Sequence, residues 1–199
     1  MRFACFVAVI LAVCVLLGSF GVLPLGAATT TIELEPTDAP PPPPFVPTAR
    51  PTATPEPAGT GLRGDYYNGT NFNTRLFRRT DPQIAFQWGT RSPGAGVNRD
   101  KFSVRWAGYL KPPVDGTFRF IVTVDNGARV WVDKHLVIDS WGNRGPRTVA
   151  GTVNLRANQP VPITVEYQEY SGGAGITLSW SHPAFTEQRV PESALYPMP

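Results

Sequence analysis

The chain has 199 residues, with 18 basic and 15 acidic side chains and a formal net charge of +3 at neutral pH. So small and evenly spread an excess excludes the basic footprint of a nucleic-acid-binding protein. Both cysteines, Cys5 and Cys14, fall in an apolar N-terminal run, which leaves the remainder without a disulfide framework or a thiolate metal site.

Residues 3–28 carry no charge. Met1-Arg2 supplies a positive flank, Phe3 to Leu17 an apolar stretch, and Gly26, Ala27 and Ala28 the small side chains at which a signal peptidase cuts. Read on to Leu25, past Pro24, the run is just long enough to span a bilayer. Residues 1–28 are therefore expected to be a cleaved signal peptide or an uncleaved signal anchor. In both cases Arg2 stays inside and the rest is exported, so the protein is expected to be secreted or held at the cell surface. Membrane contact would come only through this segment. Val13 before Cys14 makes a poor lipoprotein box.

Residues 29–60 read as a stalk. Ten prolines lie between positions 36 and 57, including the run Pro40 to Pro44 and the units Pro47-Thr48-Ala49 and Pro51-Thr52-Ala53. Too few large apolar side chains are present to offset chain entropy. Polyproline II is the favoured conformation, and at about 3.1 Å per residue Pro36 to Pro57 would reach roughly 70 Å.

From Gly61 onward the period is two. Phe102, Val104, Trp106 and Leu110 share one face of a strand, and Phe118, Phe120, Val122 and Val124 share one face of the next. Between them Lys111 to Gly116 reads as a turn, because its prolines bar a continued ladder. Val130-Trp131-Val132 and Leu136-Val137-Ile138 form a tight hairpin about Asp133-Lys134-His135. Later strands span Thr148 to Leu155, Val161 to Tyr170 and Ile176 to Ser181. Many short strands with closely spaced turn signals and no helical periodicity imply an all-β antiparallel sandwich or barrel.

Several blocks resemble the protective-antigen (PA-14) domain family. They are the opening Gly61-Leu62-Arg63-Gly64-Asp65-Tyr66-Tyr67, Phe102 to Leu110, Thr123 to Asp133, Val137 to Trp141, Ile163 to Tyr170, and Ser171 to Trp180. In family order they cover 61–197. The resemblance implies a β-sandwich-like barrel found in toxins, glycosidases, adhesins and surface proteins, which narrows fold more than function.

The resemblance also implies a site. In sugar-binding members an Asp-Asp pair, often with a cis peptide, holds a calcium ion that grips sugar hydroxyls. The corresponding pair here is Asp125-Asn126, which keeps one carboxylate and replaces the other by an amide. Calcium takes six to eight oxygens and gains from charge, so its affinity is expected to be reduced. Asp125-Asn126-Gly127 is equally a turn signature in its own right. Gly173 and Ala174, within Gly172 to Gly175, would let the backbone approach a ligand, or form a plain hairpin loop. Trp141 is expected either as an aromatic platform for a sugar ring or as a packed side chain, with Asp139 bracing its loop. Trp88, Trp106 and Trp180 are expected in the core, and Asp133 at a structural hairpin tip.

Catalysis needs a nucleophile–base pair or facing carboxylates. His135 and His182 are isolated, and Glu166 and Glu169, three apart in a strand, point to opposite faces. The expectation is a non-enzymatic carbohydrate-binding module, calcium-assisted in the manner the resemblance implies. Its partner would be a glycan or cell-envelope polysaccharide. The alternative is a metal-free module that binds a surface protein or assembles the envelope. Asn68-Gly69-Thr70 is a glycosylation sequon.

Overall fold

Period-two alternation becomes two antiparallel sheets in the computed structural model, which describes residues 58–198. The signal or anchor expected over 1–28, and the expected stalk as far as residue 57, lie outside the described residues. The strands in chain order are β1 (Leu62–Asn68), β2 (Thr74–Asp81), β3 (Ala85–Gly89), β4 (Phe102–Leu110), β5 (Gly116–Asp125) and β6 (Gly127–Val132). They continue with β7 (His135–Asp139), β8 (Arg147–Leu155), β9 (Val161–Glu169), β10 (Ala174–His182), β11 (Phe185–Arg189) and β12 (Leu195–Pro197). One 3₁₀ turn, Glu192–Ala194, precedes β12. Among the described residues no helix is long and apolar enough to cross a membrane.

The larger sheet runs β2-β1-β4-β9-β6-β7, and β12 pairs with β4 beyond the end of β1. The smaller runs β11-β10-β5-β8, with β3 on the same edge of β10 as β11. Strand alternation dictates what is buried between them. Phe102, Val104, Trp106 and Leu110 of β4 and Val161, Ile163, Val165 and Tyr167 of β9 line one wall. Phe118, Phe120, Val122 and Val124 of β5 and Ile176, Leu178 and Trp180 of β10 line the other. Trp88, Trp106 and Trp180 are all buried, as expected from their strand positions. The Gly59 N–H bonds to the Ser193 carbonyl, and the Gly61 N–H to the Leu195 carbonyl.

Three strands are not anticipated by the sequence: β2, β11 and β12. Most of β2 and β11 is exposed on both faces, so their sequences carry no alternation to read. The β6–β7 hairpin is as expected. Asp133 and Lys134 have φ of 47° and 67°, the left-handed pair that a two-residue turn requires.

Two polar features tie the larger sheet together. Asp81, 3 % exposed, accepts hydrogen bonds from Trp106 Nε1 at 2.7 Å, Tyr66 Oη at 2.6 Å and Arg79 Nε at 2.6 Å. That pairs the buried Trp106 indole N–H and gives the Tyr66 hydroxyl, which accepts from Arg79 Nη2 at 2.7 Å, an acceptor of its own. On the outer face, one residue from each of six adjacent strands falls in register: Arg78, Asp65, Arg105, Glu166, Arg129 and Asp139. The signs alternate across the whole sheet. Ion pairs close at 2.8 Å for Arg78–Asp65, 2.7 Å for Arg105–Glu166 and 2.6 Å for Arg129–Glu166. Opposite charges facing each other across strands contribute about 0.2–1 kcal/mol per pair and oppose any slip of register.

Candidate ligand site at the Asp125 crossover

Asp125 is the last residue of β5 in the smaller sheet, and Gly127 the first of β6 in the larger. The chain therefore crosses between sheets at Asn126, through a cis Asp125–Asn126 peptide bond. Asp125-Asn126-Gly127 is thus no hairpin turn, and Gly127 is not among the glycines with positive φ. Its need for a missing side chain has another cause: a Cβ there would lie 2.5 Å from Nε2 of the buried Gln168.

Three of the expected site residues join Asp125 here. β10 pairs with β5 so that Gly175 lies opposite Asp125, which brings Gly173 and the buried Ala174 beside it. Asn126, 3 % exposed, points its Nδ2 at Glu169 Oε2 (2.8 Å), Asp125 Oδ1 (3.0 Å) and the Gly173 carbonyl (3.5 Å). A Cβ on Gly173 would stand 2.8 Å from Asp125 Oδ2, so a side chain there would displace that carboxylate. Asp100 fixes the same loop by accepting from the Gly172 N–H at 3.0 Å.

Tyr167 links this end of the molecule to the core. Its ring is fully buried against Trp88 and Phe102. Its hydroxyl lies 2.5 Å from the Asp125 carbonyl and 3.1 Å from Glu169 Oε2, and accepts from the Gly175 N–H at 3.2 Å. Burial, with the Glu169 charge beside it, pushes the phenol far above its ordinary range. Glu169 is fully buried, and desolvation pushes its carboxyl up to about 7. Asp125 and Asp100 add to the rise, while the Tyr167 hydroxyl and the Ser171 amide oppose it. Glu169 Oε1 has no hydrogen bond of normal geometry.

A shallow hollow of about 220 Å³ opens beside this cluster, lined by Gln87, Thr123, Val124, Asp125, Pro146 and Gly175. Asp125 is the half-open carboxylate at its edge, and Gln87 and Thr123 are exposed. A Cβ on Gly175 would come 2.8 Å from Gln87 Oε1, so the glycine lets β3 and its amide close on the site. Gln87, Thr123, Pro146, Tyr167 and Glu169 were not anticipated as neighbours of Asp125. Only the register Gly175↔Gln87 and Gly175↔Asp125 reveals the first of them.

Trp141 makes its contacts elsewhere. It is half-buried, stacked on Phe72 at 5.6 Å, with the Arg129 guanidinium 4.2 Å from the ring centroid. Phe72 in turn lies over Arg105 at 4.0 Å. The two rings thus lie over Arg129 of β6 and Arg105 of β4 on the outer face of the larger sheet. Asp139 Oδ1 accepts the Trp141 N–H at 3.1 Å and so braces its loop. Glu166 and Glu169 do face opposite sides of β9, one in the outer ion pairs and one in the interior. The sequon residue Asn68 is held at both ends of its amide, donating to the Gly96 carbonyl and accepting from the Asn98 N–H.

The donor set bears directly on calcium. Among the described residues no three His, Cys, Asp or Glu side chains form a metal-holding group. At Asp125 an amide nitrogen, not an oxygen, faces the carboxylates. As arranged, these residues do not fit an ion that requires six to eight oxygens.

A family model for the PA14 domain matches residues 59–194. The "Anti-sigma-I factor RsgI3" of Acetivibrio thermocellus is 37% identical over 139 residues, 70% of this chain and 22% of the relative. A solved "anti-sigma factor domain-containing protein" is 35% identical with a TM-score of 0.69, over 71% of this chain and 48% of its own. The structure described as "PA14 sugar-binding domain from RTX adhesin" superposes with a TM-score of 0.59 at 19% identity, over 70% of this chain and 99% of its own. At that identity the likeness is one of fold. The chain spans about a fifth of the curated relative and under half of the solved one.

Proposed function

The chain belongs to the PA14 domain family, and from that premise we propose that its folded domain is a non-catalytic, lectin-like carbohydrate-binding module displayed outside the cell. The ligand site is the hollow beside Asp125. One observation carries the reading: a half-open carboxylate, locked from behind by Asn126, borders a depression that also offers an amide and a hydroxyl. Sugar hydroxyls both donate and accept, and such a mixed set serves both needs. Its size, about 220 Å³, falls below the ~300–1,000 Å³ of drug-sized pockets and suits a single sugar ring of a longer glycan. The uncharged N-terminal run and the proline-rich stretch support export and display. Of the two carboxyl groups gathered here, Glu169 is wholly buried and Asp125 alone borders the hollow, which supports a binding rather than a hydrolytic role.

Glycan-array screening followed by titration tests this. The domain binds at least one glycan, and Asp125→Ala weakens it about 10- to 150-fold, the loss of a charge-assisted hydrogen bond of about 1.5–3 kcal/mol. No binding by the unmutated domain at millimolar sugar would overturn the reading. A second reading is favoured by the 37% identity to an anti-sigma-I factor. In it the domain is a protein-binding or sensing part of a regulatory chain at the cell envelope. Partner capture would then survive Asp125→Ala.

A further inference from the structure

Three oxygens of different origin converge at the sheet crossover: Asp125 Oδ1, Glu169 Oε2 and the Gly173 carbonyl. Two belong to carboxyl groups and one to a backbone loop, the kind of donors a hard cation collects. A single atom, Asn126 Nδ2, stands among them at 3.0, 2.8 and 3.5 Å. An amide nitrogen carries two N–H donors and no lone pair that a cation could use. We propose that the Asn126 amide takes the place of the cation, so that this site is assembled and held without metal.

The surroundings make that position a fixed one. Asn126 is 3 % exposed and Glu169 wholly buried, so turning the amide away would cost a buried carboxyl its shorter hydrogen bond, 2.8 Å against 3.1 Å to the Tyr167 hydroxyl. Behind it, the Tyr167 hydroxyl touches both the Asp125 carbonyl and Glu169. For calcium to use these oxygens, Nδ2 would have to leave all three at once. The consequence for ligand binding, which rests on the glycan reading above, is that Asp125 and its neighbours meet the sugar directly and chelators leave affinity unchanged.

The test uses thermal melts without glycan, so its failure and the failure of the glycan reading are distinguishable. The unmutated domain should melt at the same temperature in chelator and in millimolar calcium. Asn126→Asp places a third carboxylate against Asp125 and Glu169. Its midpoint should fall by about 5 °C or more in chelator and recover as calcium is added, because an ion bound only by the folded state raises the midpoint. A variant that folds only with calcium supports the proposal equally. Asn126→Ser replaces the amide by a shorter hydroxyl that cannot reach all three oxygens, adds no charge, and should melt lower by the same amount in both conditions. A saturable calcium-dependent rise in the unmutated domain or in Asn126→Ser would overturn the proposal. So would a folded Asn126→Asp indifferent to calcium. Should Asn126→Asp be unfolded in both conditions, the other two proteins decide.

Discussion

Glu169 makes stability depend on pH in an unusual direction. A buried carboxyl raised from 4.5 to about 7 holds its proton in the folded state where the unfolded chain has already released it. Its contribution is therefore complete below about 4.5, declines as pH rises through the window, and is gone above about 7. At about 1.4 kcal/mol per pH unit, the loss across the window comes to ~3 kcal/mol. The groups facing Glu169 are the Asn126 amide and Tyr167 hydroxyl, the Asp125 carboxylate from β5 and the Asp100 carboxylate from the β3–β4 loop. The perturbation is Glu169→Gln, which keeps the shape and removes the titration. Urea denaturation of both proteins from pH 4.5 to 8 yields the difference in unfolding free energy, from which everything the two proteins share cancels. Relative to the variant, the unmutated domain should lose ~3 kcal/mol between the ends of the range. Parallel profiles, or a difference that grows with pH, would refute the assignment of a raised carboxyl to this position.

Two further outcomes follow from the larger sheet. The charge swap R105E/E166R would fully restore an isolated ion pair. In this ladder it creates like-charge neighbours with Asp65 on one side and Arg129 on the other, so the double variant should stay about 1–2 kcal/mol less stable than the unmutated domain; full recovery in denaturant melts would show that the pair acts alone. Asp81→Ala strands the buried Trp106 indole N–H, takes from the Tyr66 hydroxyl its acceptor while leaving it the Arg79 donor, and should cost about 3 kcal/mol, read as a lower urea midpoint with unchanged slope; a loss under about 1 kcal/mol would mean that these groups find other partners.

What could be read from the sequence followed the physics of burial. β4, β5, β9 and β10 each bury one or both faces in the centre of a sheet, and their apolar alternation is strong enough to identify core residues one by one. β2 lies at an edge, exposed along most of its length and rich in arginine, as edge strands are when they avoid pairing with other chains. Its charges carry no period, and their partners across the sheet are invisible without register. The same holds for the six-residue ladder. Its members lie scattered between positions 65 and 166, and nothing local relates Asp65 to Arg105 or Arg129 to Glu166. Asp125-Asn126-Gly127 misled in a more specific way. Its residue types are those of a turn, yet Gly127 is required by contact with Gln168 rather than by its backbone angles.

β9 explains why the site could be only half seen. Its central position in the larger sheet buries both faces at once, so alternate residues serve different layers. Glu166 faces outward, where Arg105 and Arg129 compensate its charge. One residue on, Tyr167 places its ring in the core and its hydroxyl against the β5 and β10 ends of the smaller sheet. Glu169, on the same face, brings the carboxyl that the Asn126 amide answers. The crossover at Asn126 is thus held by β9 groups about 40 positions further along, with three strands, β6, β7 and β8, intervening in the chain. Sequence alone supplies the two residues at the crossover. Whether their oxygens await an ion or already enclose a donor depends on which side of β9 Glu169 faces, and the pleat sets that side once Tyr167 is committed to the core.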